Sequence, residues 1–312
     1  MTPFPGRAGP DLSVSFAGIT LKNPVIAAGG TFGYGIEFED IVSLEKLGGF
    51  VVKGLSREPM PGNPPPRVFE TAAGMLNSIG LQNIGVREFV ADTLPRLNRK
   101  KDIVVFANVF GYTTEDYVAV VEALNQGEGI AAYELNVSCP NTRAGGITFG
   151  SDPDLLVEVV GACKQAARRP VIVKLSPNVT SIPLVAQAAE RAGADALSLV
   201  NTFVAMAIDP ETRKPRISNI TAGLSGPAIK PIALRMVYEA AHAVHIPVIG
   251  IGGITTPGDV VEFLLAGATA VEVGTATFWD PVATERIVDG LVNWCIERRV
   301  ERITDLTGGL QV

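Results

Sequence analysis

Eight short apolar runs alternating with eight longer helical patterns predict an α/β fold, a closed (β/α)8 or TIM barrel. The runs cover residues 24–28, 50–53, 103–108, 132–136, 171–175, 196–200, 247–251 and 270–273. They are rich in Val, Ile, Ala and Leu, as parallel strands buried on both faces are. The patterns between and after them, at 36–47, 86–97, 114–125, 152–167, 182–192, 229–243, 256–266 and 281–299, supply the crossover helices. An open doubly wound sheet is the alternative, but eight regular units favour closure. The 312 residues are read as one barrel domain, residues 1–312.

Four segments exceed a minimal barrel. Residues 11–22 read as a hairpin turning at Ala17-Gly18, placed to plug the barrel bottom. Residues 54–84, with Gly62-Asn63-Pro64-Pro65-Pro66-Arg67, form an insertion after the second strand. A glycine-bearing loop, 142–150, follows the fourth strand, and residues 201–228 follow the sixth. Loops after strands lie on the C-terminal face, where barrel active sites assemble.

Composition narrows the function. Hydrophobic residues make up 47% and charged residues 19%, enough apolar material for a large core. The net charge of −6 argues against a general nucleic-acid binder, which needs a basic footprint. The uncharged stretch 240–258, apart from its histidines, is broken by Pro247 and several glycines and does not read as a membrane span. With no signal-like start and three cysteines only (Cys139, Cys163, Cys295), a cytoplasmic location is expected. The two histidines, His242 and His245, sit at a helix end and the following turn, outside any recognisable triad or zinc motif. No metal site is expected. No G-x-G-x-x-G occurs, and three cysteines are too few for the usual four iron–sulfur ligands.

The polar residues at the strand ends carry the chemistry. Lys53, Asn108, Asn136, Lys174 and Asn201-Thr202 close strands two to six. One such lysine is often a snorkelling stem. Together they describe a donor-rich pocket for an anionic, carbonyl-bearing planar ligand. Gly250-Ile251-Gly252-Gly253-Ile254 and Val273-Gly274-Thr275-Ala276 end strands seven and eight, where barrels commonly hold a phosphate through backbone N–H groups. The bland reading of these glycines is tight βα turns alone. Cys139, directly after strand four, could serve as nucleophile, general base or inert residue; Cys163 and Cys295 fall in helical patterns and read as packing residues.

These residues resemble the catalytic chain of class 1 dihydroorotate dehydrogenases over nearly the whole chain. The specific blocks are Asn77-Ser78-Ile79-Gly80-Leu81-Gln82-Asn83, Glu134-Leu135-Asn136-Val137-Ser138-Cys139-Pro140-Asn141, Ser225-Gly226-Pro227-Ala228, Ile249-Gly250-Ile251-Gly252-Gly253-Ile254 and Val273-Gly274-Thr275. The resemblance implies an FMN barrel that oxidises dihydroorotate to orotate in pyrimidine synthesis. It places the FMN phosphate on Gly252, Gly253, Gly274 and Thr275, and the flavin ring against Ala28 and Gly29. Lys53, Asn108, Asn136, Lys174, Val200 and Gly226 complete the cofactor contacts it implies. Lys174 has a physical rationale, because reduced flavin gains negative charge that a fixed cation stabilises. For orotate it implies Lys53 on the carboxylate, with Asn77, Ile79, Gly80, Leu81, Asn136, Asn141, Asn201 and Thr202 around the pyrimidine.

Cys139 is then the general base, and its presence in place of serine marks class 1. Ile79 and Gln82, with the 62–67 motif, resemble the 1B subclass more than 1A. The 1B enzymes pass electrons to NAD through a partner subunit carrying FAD and a [2Fe–2S] cluster. The resemblance also implies a homodimer of this chain and a heterotetramer with that partner. The missing membrane-binding N-terminal helix argues against the quinone-using class 2. Three rivals stay open: a dihydropyrimidine dehydrogenase-like FMN reductase, a non-redox phosphate-binding barrel isomerase or lyase, and a scaffold subunit with a degenerate site.

Overall fold

The computed structural model describes residues 9–138, 149, 150 and 152–312. A hairpin of β1 (Val14–Phe16) and β2 (Ile19–Leu21) precedes the barrel strands β3 (Val25–Ala27) and β4 (Gly49–Val51). An insertion contributes β5 (Val68–Thr71) and β6 (Gly74–Asn77). Barrel strands β7 (Val105–Val109), β8 (Ile130–Asn136), β9 (Val171–Lys174) and β10 (Ala196–Leu199) follow. A second insertion holds β11 (Phe203–Ala205), β12 (Ile208–Asp209), β13 (Lys214–Pro215) and β14 (Ala222–Ser225), before β15 (Val248–Ile251) and β16 (Ala270–Val273) complete the barrel.

The closed order is β3-β4-β7-β8-β9-β10-β15-β16, back to β3, with every pairing parallel. Spatial order equals chain order, as repeated right-handed βα units require. Nearly every side chain of these strands is buried, so the apolar runs lack alternation for the reason anticipated. Each fully buried Val, Ile, Leu or Phe contributes about 1.5–3 kcal/mol by leaving water.

The helices bury one stripe and are capped where the sequence allows it. Thr114–Leu124 buries Tyr117, Val120, Val121 and Leu124, at helical spacing, and the Thr113 side chain accepts the Asp116 N–H at 3.2 Å. Asp152 caps Pro153–Ala166 by accepting the N–H groups of Asp154 and Leu155. Thr256 and Asp259 form a capping box on Pro257–Leu265. The hairpin packs Phe16 against Phe106 near the start of β7, ring centroids 6.2 Å apart, at the N-terminal end of the barrel.

Three differences from expectation have local causes. Residues 36–47 form a run of tight turns ending in the 3-10 helix Leu44–Lys46, instead of a full helix. The Glu37 carboxylate there accepts the Tyr34 N–H, and the Phe38, Ile41 and Lys46 N–H groups reach back only three residues. The 86–97 pattern is helical but widens to a π turn over Phe89–Thr93, just before Pro95, which has no N–H for the ladder. The insertions after the second and sixth barrel strands pair with each other, in one antiparallel sheet ordered β11-β14-β6-β5. Leu76, Ile217 and Ala222 form its own small core.

The expected loop after the fourth strand lies almost wholly outside the described residues, as do Cys139 and Asn141. Cys163 and Cys295 are free, buried helix residues, their thiols pushed by burial up to about 12 and about 11. Among the described residues no group of histidines, cysteines and carboxylates could hold a metal ion, and no helix is long and apolar enough to cross a membrane.

Candidate active site at the barrel mouth

The C-terminal ends of the barrel strands open into a cleft of about 1150 Å³ including its mouth. Every described residue expected at the site lines it. Lys53, Asn77, Ile79, Gly80, Leu81, Asn136, Asn201 and Thr202 are there, as are Ala28, Gly29, Asn108, Lys174, Val200, Gly226, Gly252, Gly253, Gly274 and Thr275. Asn77 comes from the insertion sheet, so pairing β6 with β14 brings it over the barrel mouth. Lys53 sits two residues beyond β4, its N–H held by the Gly33 carbonyl at 2.7 Å. Lys53 and Lys174 are the cations in the lining, and no described carboxylate shares it, so the cleft favours an anionic ligand.

A string of amides crosses the floor. Asn108 Nδ2 donates to Glu134 Oε1 at 2.6 Å, and Asn136 Nδ2 donates to Asn108 Oδ1 at 3.4 Å. Asn201 Nδ2 in turn donates to Asn136 Oδ1 at 3.4 Å and to Ser138 Oγ at 2.8 Å. The Thr202 N–H closes on Asn201 Oδ1 at 2.7 Å.

Sequence reasoning gave no role to the two carboxyl groups below. Glu134 of β8 and Glu272 of β16 are each 1% exposed, and Lys174 Nζ reaches both, at 3.4 Å and 3.1 Å. Burial alone would lower the Lys174 ammonium, but the two carboxyl groups raise it above its ordinary value. Burial pushes Glu134 upward, yet Lys174 and the hydrogen bonds it accepts hold it below the usual carboxylate range. Burial and the Glu134 charge together push Glu272 well above that range. The available signal was a glutamate inside each of two otherwise apolar strands.

The glycine turns after β15 and β16 approach the cleft with backbone alone. Gly253 has φ +71, and a Cβ there would lie 2.8 Å from the Gly226 carbonyl and 2.9 Å from the Lys230 nitrogen. Among the described residues, no protein acceptor takes the N–H of Gly253 or Thr275. On the opposite side, a Cβ on Gly29 would lie 2.3 Å from the Val52 carbonyl, so only glycine fits. Ser225 Oγ accepts from Thr275 Oγ1 at 2.8 Å and joins the insertion sheet to this corner.

A closed barrel with two lysines, four asparagines and open backbone donors at its C-terminal mouth defines a ligand-binding barrel of the enzyme class. The family model described as dihydroorotate dehydrogenase matches residues 11–294, and the chain belongs to that family. A relative from Solibacter usitatus, provisionally named dihydroorotate dehydrogenase A (fumarate), is 64% identical over 97% of this chain and 99% of its own length. Relatives from Pelobacter propionicus and Trichlorobacter lovleyi, each named dihydroorotate dehydrogenase B (NAD(+)), catalytic subunit, are 54% and 53% identical over the same shares. The crystal structure of DHODH from Eimeria tenella in complex with ferulenol superposes with a TM-score of 0.81 at 24% identity, over 98% of this chain and 90% of that one. At that identity it bears on the fold alone.

Proposed function

We propose that this chain, as one FMN-binding barrel domain spanning residues 1–312, oxidises (S)-dihydroorotate to orotate in pyrimidine biosynthesis. The convergence of Lys53, Lys174 and the asparagine string with the glycine turns in one cleft carries the reading. The residues present fit FMN: the unused N–H groups of Gly253 and Thr275 suit a phosphate, and buried Lys174 suits the ring edge where negative charge accumulates. FMN, when bound, supplies the hydride acceptor.

Gly252, Gly253, Gly274 and Thr275 hold its phosphate, and Ala28 and Gly29 leave room for the ring. Lys53, Asn108, Asn136, Lys174, Val200 and Gly226 hold the remaining polar edge and ribityl chain. Lys53 also pairs with the substrate carboxylate. Asn77, Asn136, Asn141, Asn201 and Thr202 match the pyrimidine carbonyl and N–H groups, each asparagine offering one donor side and one acceptor side. Ile79, Gly80 and Leu81 wall the substrate. Cys139 takes the C5 proton of dihydroorotate as the C6 hydride leaves.

The electrons pass to NAD through a partner subunit that carries FAD and a [2Fe–2S] cluster. A homodimer of this chain forms the centre of a cytoplasmic heterotetramer. The names of the Pelobacter and Trichlorobacter relatives support this acceptor, whereas the name of the 64% identical Solibacter relative supports fumarate as the alternative.

The test is anaerobic addition of dihydroorotate to the purified yellow protein, following the visible flavin band. Rapid bleaching is the expected result. A yellow protein that ignores dihydroorotate but responds to dihydrouracil would move the reading to a pyrimidine reductase, and a protein that takes up no FMN would overturn it. Reoxidation of the bleached chain by fumarate alone, without any partner, would replace NAD as the acceptor.

A further inference from the structure

Lys174, Glu134 and Glu272 form an ion cluster at the floor of the cleft. The glutamates are each 1% exposed, and Lys174 stands between them and the cleft with contacts of 3.4 Å and 3.1 Å. Both carboxyl groups reach the same ammonium. One cation cannot balance two buried anions, so one of the two carboxyl groups keeps a proton. Glu134 additionally accepts from Asn108 Nδ2 at 2.6 Å and from Ser198 Oγ at 2.8 Å, so it is the member equipped to carry the charge. Lys174 is the charged side chain in contact with both carboxyl groups, and the other contacts, Asn108 and Ser198, are neutral.

We propose that Glu134 and Glu272 share one proton and so act as positioning residues that keep Lys174 a single, charge-balanced cation under the flavin, setting the flavin's reduction potential. The inference rests on FMN occupying this cleft. The cluster then holds one ammonium, one carboxylate and one carboxylic acid, neutral in sum. A neutral cluster lets the ammonium remain charged at its largely buried position, so its field acts on the charge a flavin gains on reduction without any proton having to arrive first.

Either glutamate suffices as counter-ion when the other is replaced by its neutral isostere. Glu134→Gln leaves Glu272 to ionise, and Glu272→Gln leaves Glu134 as it is. The double variant strips Lys174 of its partner, and burial then drives it to the neutral amine.

The test combines infrared spectroscopy with potentiometry on the purified FMN-bound chain. At pH 8, where ordinary carboxyl side chains are ionised, the wild type should show the C=O stretch of a buried carboxylic acid, and each single variant should lose it. The single variants should keep the oxidised-to-reduced FMN ratio at fixed potential within about threefold of wild type. The double variant should shift it at least about tenfold toward oxidised FMN, about 30 mV for a two-electron couple, matching Lys174→Met.

A wild type without the carboxylic-acid band would overturn the proposal. So would a single variant that shifts the potential as far as the double, or a double variant with the wild-type potential. The infrared comparison of wild type and single variants decides the proton sharing even where the double variant does not fold. It also needs no cofactor: a wild type that binds no FMN would remove the reading of the cleft, and with it the effect on potential, while the shared proton would still be seen or refuted.

Discussion

Asn108 donates to Glu134 across 2.6 Å, and this contact fixes which way the asparagine amide faces. A buried carboxylate only accepts, so Asn108 must turn its NH2 inward and its oxygen toward Asn136. The same polarity passes to Asn136 and on to Asn201, so a buried charge orients donors and acceptors at the cleft surface. Aspartate at position 108 would set a second acceptor against Glu134 with no donor between them. Asn108→Asp should lower stability by about 3 kcal/mol or more, against about 1–2 kcal/mol for Asn108→Ala. Urea unfolding of both variants checks this, and an Asp variant no weaker than the Ala variant would refute the orienting role of Glu134.

Gly253 tests the backbone phosphate site. Its φ of +71 disfavours any side chain, and its Cβ would meet two backbone atoms, the Gly226 oxygen and the Lys230 nitrogen, below 3.0 Å. Neither can swing aside as a side chain could. Gly253→Ala should shift the turn and weaken FMN binding about tenfold or more, equivalent to about 1.4 kcal/mol. Fluorescence titration of the FMN-free protein measures this; unaltered affinity would place the phosphate elsewhere.

Much of the barrel and of the cleft was legible because their signals are local. Eight apolar runs mark strands wherever both faces are buried, and Lys53, Asn108, Asn136 and Lys174 stand out at their ends because nothing in an apolar strand calls for them. The insertion sheet was illegible because Asn77 and Gly223 become partners only through tertiary pairing, across a sequence separation of 146 residues. The meeting of the two carboxyls at Lys174 was illegible for a similar reason. Glu272 in β16 is not a neighbour of β8 or β9 in the barrel order, so its contact with Lys174 exists only across the closed interior. The failed helix at 36–47 had a helical apolar spacing, but the side-chain and turn contacts around Tyr34, Glu37 and Phe38 took its place.

Lys53 should separate substrate binding from cofactor retention. It lines the cleft beside Asn77, and a charge-assisted contact to a carboxylate contributes about 1.5–3 kcal/mol. Lys53→Met should therefore raise the dihydroorotate KM by about 10- to 100-fold, while the glycine turns and Lys174 still hold enough of the FMN for the protein to stay yellow. An unchanged KM, read from steady-state kinetics, would move the carboxylate away from Lys53.

Asp259 carries a pH-dependent part of the stability. Burial would push its carboxyl up, but Lys230 at 2.6 Å and the N–H groups of Thr255 and Thr256 hold it below the usual range. A lowered native value means that the unfolded chain takes up protons first as the pH falls. The stabilisation is therefore complete well above the unfolded value of about 3.9 and is lost as pH falls through the native value. Asp259→Asn should cost about 1–3 kcal/mol at pH 7, with a deficit that narrows below about pH 4. Denaturant midpoints at both pH values decide it, and a deficit independent of pH would assign the cost to the cap alone.

Cys139 is the position on which the proposed chemistry turns, although it lies outside the described residues. It follows Ser138, whose hydroxyl accepts from Asn201, so the chain enters the base-bearing segment from the end of the asparagine string. A general base works only when deprotonated, so flavin reduction in the wild type should rise with pH toward a plateau. Cys139→Ala removes the base and leaves every proposed FMN contact in place. It should retain a full complement of FMN, slow anaerobic reduction by dihydroorotate about 10²-fold or more, and abolish that rise. Stopped-flow traces across the pH range separate the outcomes. A variant that reduces as fast as wild type would move the base to another residue, and one that loses FMN would make Cys139 part of the cofactor site.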